Sequence, residues 1–426
     1  MIKEIKNSKY LILFCLLAIS SLTFSQGSRY TGTYKKSSPK SYLLQKDIVI
    51  EGLEFSDLPS TTALKFEHCT NVIIRNCKFT NNLTTPSIYA YKGTNILITD
   101  CTFENVHQGF VAGECYDNIK FEYNNITNLV GDLYGGSKYA NAATVVKSKG
   151  SGYSISYNVV ENIPGKSSPE DVFNIYQSSG TAASPIMIKG NWIRGGGPSP
   201  SGGGIMLGDW GGNYQIAEDN ILVNPGMYGI GVVGGQYNKL RNNKVYSKQL
   251  PHSGVGVQAA DYTPSVGGPA ANIVIENNEV NYTNSRGIQE TIWFDNSMKK
   301  VVKNWATSTI YNTKLNEEIL PKVIIKVGGI QKDEVPDDDE VEPTNPESPI
   351  TKVYIDRFNR FAIKYLVSPI PYAYAETYTS SGQLIGTAEL PRFNQTFPEV
   401  APKGEYYVKV IYSELGKSEI TKISVN

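Results

Sequence analysis

Residues 170–220 read EDVFNIYQSSGTAASPIMIKGNWIRGGGPSPSGGGIMLGDWGGNYQIAEDN. The run opens on a short apolar strand at 172–176, turns, and enters a second strand at 186–189. Asn191, a glycine-rich loop and a further strand at 204–208 follow. Apolar and polar side chains alternate within each run, the period of a half-buried β-strand. The stretch is one full turn of a repeating unit and the start of the next.

Working outward, the second strand recurs along most of the chain, as NVIIRNCKF, NILITDCTF, NIKFEYNNI, PIMIKGNWI and NIVIENNEV. The position ending each copy falls at Leu53, Cys77, Cys101, Asn124, Asn158, Asn191, Asn220, Asn243, Asn278 and Asn304, at spacings of 24, 24, 23, 34, 33, 29, 23, 35 and 26. A basal period near 24 with longer insertions is the signature of a solenoid. One coil cannot bury its inner face, but stacked coils build a continuous core from equivalent positions. Asparagine suits the turn because it tolerates left-handed backbone angles, and stacked amides can bond to one another. Cys77 and Cys101 are expected to fill the same inward slot as small apolar side chains. Cys69 and Cys115 fall two coils apart, too far to bridge. All four are therefore expected as buried thiols.

The asparagines from Asn124 to Asn304 and the N-I-x-I-x-x-N-x-V strands resemble the right-handed parallel β-helix superfamily of pectate-lyase type, over roughly residues 40–312. The resemblance implies an all-β fold of about ten coils, each with three strands, and a groove floored by the strand before each aligned one. Floor strands are expected at 63–67, 87–91, 109–113, 143–147, 172–176, 204–208, 229–233, 254–258 and 287–291. Insertions at 131–141, 164–170, 195–203 and 259–271 gather on the middle coils. Loops added to one side of a solenoid build its binding face.

The two ends carry other signals. Residues 1–25 have a basic start and a short apolar run, which reads as a secretory signal peptide and excludes a lasting membrane span. The β-helix is assigned to 26–330, and the acidic, proline-rich stretch 331–350 to a solvated linker. Residues 351–426 alternate as a small β-sandwich. Gly382-Gln383-Leu384-Ile385, Pro402-Lys403-Gly404-Glu405-Tyr406 and Thr421-Lys422-Ile423 resemble the C-terminal sorting domain of the Bacteroidetes type nine secretion system. That resemblance implies secretion machinery as a partner and a secreted or surface location. A net charge of zero with only 19% charged residues excludes nucleic acid as a partner, and a monomer is expected.

Alternation places Phe173 and Ile175 inside, with Asn174 and Tyr176 facing the groove. It places Ile205, Leu207, Ile230, Val232, Val255 and Val257 inside as well. Met206, Gly208, Gly231, Gly254 and Gly256 are then outward, a shallow floor on which a ligand can lie against backbone. Tyr176, Trp210, Tyr228 and Tyr262 are expected beside it as faces for sugar rings to stack on, with Arg286 near. An extended groove of aromatic and amide groups suits a polysaccharide better than a small molecule. Charged candidates in the region are Lys147, Glu170, Asp171, Arg194, Asp209, His252, Asp261, Arg286 and Glu290. Paired carboxylates among Glu170, Asp171 and Asp209 can run glycoside hydrolysis, or can hold Ca²⁺ with Asn174 as a neutral ligand. A lyase instead needs a cation to neutralise a uronate and a base to abstract its proton, the latter role open to Lys147, Arg194, His252 or a tyrosine. The expectation is a secreted enzyme on an acidic polysaccharide, foremost a lyase. A hydrolase and a non-catalytic glycan-binding surface protein are the alternatives.

Overall fold

The computed structural model describes residues 26–131, 140–262, 269–303 and 309–326, and the backbone of strands between 350 and 425. The expected signal peptide, the acidic linker and Asn304 lie outside the described residues. The chain divides into two compact units, Met1–Asp333 and Glu334–Asn426.

The first unit is a parallel β-helix. Its strands fall into three parallel sheets of eleven, ten and ten described strands, and each sheet takes every third strand of the chain. The floor sheet contains Leu64–Glu67, Pro86–Tyr91, Gln108–Gly113, Asn141–Val146, Phe173–Tyr176, Gly203–Asp209, Tyr228–Val232, Val255–Ala259 and Ile292–Phe294. The ladder sheet contains the aligned strands, Thr70–Arg75 through Ile273–Glu276 among them. The third sheet completes each coil, with Trp192–Arg194 and Ile221–Val223 in the middle of the chain.

Equivalent side chains stack from coil to coil. Phe55, Phe79 and Phe103 are fully buried and lie ring on ring, with centroids 5.3 and 4.9 Å apart. Each such ring contributes about 1.5–3 kcal/mol through the apolar surface it removes from water. The core is thus assembled rung by rung from one repeated pattern.

The asparagine ladder is present and continuous from Asn124 to Asn278. Each Asn Oδ1 accepts from the backbone N–H and the Nδ2 of the asparagine one coil earlier, as Asn191 does from Asn158, both at 3.0 Å. Each Nδ2 also reaches a carbonyl of a preceding coil, as Asn191 reaches Ile155 at 2.9 Å. Two details differ from expectation. The left-handed residue of each turn is the one before the ladder position: Asn76, Asp100, Tyr123, Tyr157, Gly190, Asp219, Asn242 and Asn277 all have φ between 53° and 63°. The ladder asparagine is selected for its amide, not its backbone. Cys77 and Cys101 are also more than apolar fillers, since their thiols point at the carbonyls of Ile50 and Ile74, where the later asparagines place Nδ2. All four cysteines are buried and free. A second corner repeats this logic, with Cys115 N–H donating to Ser148 and Ser148 N–H to Ser178, both at 2.9 Å.

The floor departs from expectation in three places. Gly256 turns inward at a corner, where a Cβ would meet Val280 at 2.2 Å, and Gly229 and Gly204 do the same in the two coils before. Val255 turns outward and joins Met206, Tyr228, Val233 and Ala260 in a small apolar cluster separate from the core. The last floor strand is Ile292–Phe294, not 287–291. Asn284 Oδ1 accepts from the N–H of Arg286 and of Ile288, and Gly287 takes a φ of 77°. That tight turn delays the strand.

Residues 315–324 cover part of the outer face of the third sheet, over its middle strands. Leu320 and Ile324 bury against Val159 and Val223. Lys248 pairs with Glu317 at 2.7 Å. The second unit has two antiparallel sheets, of three and four described strands, as a β-sandwich requires.

Candidate functional site

Strand register aligns one outward row across the floor sheet: Tyr89, Val111, Thr144, Asn174, Met206, Gly231, Gln258 and Trp293. A second row places Tyr176 beside Asp209, after a bulge that breaks the register between Asn174 and Tyr176. The bulge brings Asp209 toward the first row, so that Asn174 Nδ2 donates to it at 2.9 Å. The same nitrogen donates at 2.8 Å to Asp171, which precedes the Asn174 strand. One amide therefore holds two carboxyl groups together in the middle of the floor.

The two acids sit in different surroundings. Asp171 is 7% exposed, receives the Gly203 N–H at 3.2 Å and accepts a short hydrogen bond from the Tyr228 hydroxyl. Tyr228 begins the strand two coils beyond Asp171, and Gly203 lies between them. A Cβ on Gly203 would stand 2.6 Å from the Tyr228 ring, so the glycine lets that ring lie across its coil. Tyr228 is fully buried and is therefore not the sugar platform expected; its hydroxyl is committed to Asp171. Burial pushes the Asp171 carboxyl up to about 7, with the charges of Glu170 and Asp209 adding to the shift and the Tyr228 and Asn174 hydrogen bonds opposing it. Asp209 is partly exposed, and burial and the Glu170 charge raise its carboxyl more modestly.

A stability consequence follows. The unfolded chain ionises Asp171 near its ordinary value of 3.8, whereas the folded chain keeps the proton to about 7. Between those values the unfolded state binds fewer protons, so stability falls as pH rises through that window and levels off above it. The loss is at most about 4 kcal/mol. Denaturant unfolding at pH 4.5 and 8 on the parent and on Asp171→Asn is expected to show a steeper fall with pH in the parent; equal slopes would refute it.

The other candidates are dispersed. Glu170 is held by the hydroxyls of Ser199 and Ser201, the latter at 2.6 Å. Lys147 is exposed in a left-handed turn just past its floor strand. Arg194 lies on the third sheet and donates to the carbonyls of Leu320, Pro321 and Lys322 and to Glu161, so its guanidinium anchors the covering segment rather than meeting substrate. His252 packs against Gly197 in the loops toward the third sheet, and burial lowers its pKa. Asp261 accepts from the Ala270 N–H at 2.9 Å. Trp210 is 49% exposed at a left-handed corner directly after Asp209. Tyr262 and Arg286 are exposed and line a cleft farther along the floor, with Gln258 and Trp293, which sequence reasoning missed. Gln258 was legible as the outward residue of its strand; Trp293 was hidden by the displaced last strand.

The residues do not fit Ca²⁺. The groups around Asp171 are donors (an amide nitrogen, a peptide N–H and a phenol), and the Glu170 oxygens are taken by hydroxyls. A calcium ion wants six to eight oxygens free to coordinate. Among the described residues no group of three or more His, Cys, Asp or Glu is placed to hold a metal. No helix among them is long and apolar enough to cross a membrane.

A family model described as "Right handed beta helix region" matches residues 7–160. With the three parallel sheets, this makes the fold a right-handed parallel β-helix. No curated protein matches the chain. Among solved structures, the chain is similar to the catalytic unit of a thermostable GH87 alpha-1,3-glucanase from Streptomyces thermodiastaticus, at 13% identity and a TM-score of 0.30, over 61% of this chain and 52% of that one. It is also similar to the tailspike protein of Acinetobacter baumannii phage AM24, at 10% identity and a TM-score of 0.34, over 94% of this chain and 64% of that one. The chain thus spans about half the length of the first and under two thirds of the second.

Proposed function

We propose that this protein is an exported glycoside hydrolase that cleaves a neutral polysaccharide lying along the outward face of the floor sheet. The observation that carries this reading is the Asn174 amide bridging a buried carboxyl, Asp171, and a partly exposed one, Asp209. Asp171 keeps its proton up to about pH 7 and gives it to the glycosidic oxygen as the C1–O bond breaks. Asp209 attacks C1 from the groove as its carboxylate, forming a glycosyl-enzyme. Water then displaces it, with Asp171 taking the water's proton back.

The nearest oxygens of the pair lie no farther apart than the sum of two hydrogen bonds of 2.8 and 2.9 Å. That is below the roughly 6.5–9.5 Å an inverting enzyme needs for its water, so the anomeric configuration should be retained. The charged groups that act on the pair are carboxylates. A uronate beside them would meet like charge, which favours a neutral sugar over the acidic one expected from the sequence. β-Elimination would need a cation at this point; Arg194 and His252 both lie toward the third sheet, and Lys147 stands just past the floor strand two coils before that of Asp209.

Incubation with soluble glucans, mannans, xylans and galactans, beside alginate and pectin, tests the reading. New reducing ends without ultraviolet absorbance support hydrolysis. An absorbing unsaturated product would establish a lyase, and neither signal would leave a binding protein. Tyr228 acts as a positioning residue, and its hydrogen bond favours the Asp171 carboxylate. Tyr228→Phe is therefore expected to move the alkaline limb of the kcat profile to higher pH; an unmoved limb would detach Tyr228 from the chemistry. The export signals of the two termini fit a substrate met outside the cell, with secretion machinery as the partner of the C-terminal unit.

A further inference from the structure

Two to three strands beyond Asp209, the floor opens into a cleft of ≈ 450 Å³. Its aromatic walls are Trp293, 43% exposed, and Tyr262, 56% exposed. Gln258 stands on the floor between them, on the same outward row as Asn174. Its Nε2 donates to the Tyr262 hydroxyl at 2.5 Å, while its Oε1 is buried and accepts from nothing among the described residues. A buried acceptor left without a donor is costly unless a ligand supplies one. Gln258 itself is 4% exposed, so this acceptor is built into the floor rather than dangling from a loop. Arg286 and Glu290 line the same cleft and pair with no charged side chain among the described residues, which leaves a donor and an acceptor at its edge.

Between this cleft and the carboxylates the floor is apolar, made by Met206, Gly231 and Val255. Flat aromatic faces, a few fixed polar groups and an apolar approach are what a sugar ring needs. We propose that the cleft is a distal subsite that takes one neutral pyranose ring of the polymer, stacked on Trp293 and Tyr262, with a ring hydroxyl donating to Gln258 Oε1. Two to three strand spacings put it about 10–14 Å from the Asp209 strand, a distance that several linked sugars span. For its position relative to the cleaved bond the proposal rests on the hydrolytic reading; for its existence it does not. Its consequence is that the enzyme cuts inside chains and neglects very short ones.

The test uses the full chain carrying Asp209→Asn, which stops turnover, on arrays of gluco-, manno-, xylo- and galacto-oligosaccharides of two to eight units. Binding is expected for one series, strengthening about tenfold or more between trimer and hexamer, the equivalent of about 1.4 kcal/mol. Adding Trp293→Ala should remove that gain and leave the trimer unchanged, and Trp293→Phe should restore most of it. Trp293 is on the surface, so an unchanged circular dichroism spectrum is expected for both. Equal hexamer binding with and without Trp293, or no binding to any series, overturns the subsite. If the length-dependent binding is found but the parent protein cleaves nothing, the subsite stands and the hydrolytic reading falls.

Discussion

Asn191→Ala is expected to destabilise the β-helix unit by about 3–5 kcal/mol, from a small cavity and at least two lost buried hydrogen bonds. Asn191 is fully buried. Its side chain accepts from the N–H and Nδ2 of Asn158 and donates to Ile155 and to Asn220. Asn158 Nδ2 keeps Phe121 and Asn220 Oδ1 keeps the Asn191 N–H, so the damage centres on the Asn158 peptide and the Ile155 carbonyl. Asn191→Cys should cost less, because Cys77 and Cys101 show that a thiol in this slot still meets the equivalent carbonyl. Urea unfolding followed by far-ultraviolet circular dichroism measures both. A loss below about 1 kcal/mol for the alanine variant, the net value of one ordinary hydrogen bond, would mean that the ladder reports register without supporting it.

Asp209→Asn should lower kcat by about 10³-fold while leaving polymer affinity close to that of the parent. The asparagine keeps the size of the side chain and removes the nucleophile. The amide of Asn174 would still face it, so the fold has no reason to change. Asp171→Asn should also lose activity, but with a difference: a substrate carrying a good leaving group such as dinitrophenolate needs no proton, and would recover much of the rate. If Asp209→Asn retains even a tenth of the parent activity, the paired-carboxylate chemistry is wrong.

The scaffold was legible because its cause is local and repeated. Alternating apolar residues can be seen in a single coil, and a period near 24 with an asparagine at one phase emerges as soon as successive coils are aligned. The site was only half legible. Asn174 could be placed on the outward face by alternation, but the same alternation, with Met206 and Gly208 outward, would turn Asp209 inward; its meeting with Asn174 depends on a bulge that no local pattern marks. Tyr228 reads as a groove aromatic until Gly203 is seen to let it reach back two coils to Asp171. Arg194 looked free because its partners, the carbonyls of 320–322, are remote in sequence. Gly256 and Val255 exchanged sides for the same kind of reason, a corner whose sterics are set by the carbonyl and side chains of other coils.

The ladder has a consequence for how such a protein can change. Its slots sit 23 to 35 residues apart, yet each Asn bonds to the next with nearly the same geometry, at 2.8–3.0 Å between amide and oxygen. The residues between slots can therefore lengthen or shorten without disturbing the spine. Loop grafts onto the groove and the spine's own integrity are separable engineering variables: a cassette exchanged between two ladder positions should alter which sugar is held while the rest of the molecule does not register the swap.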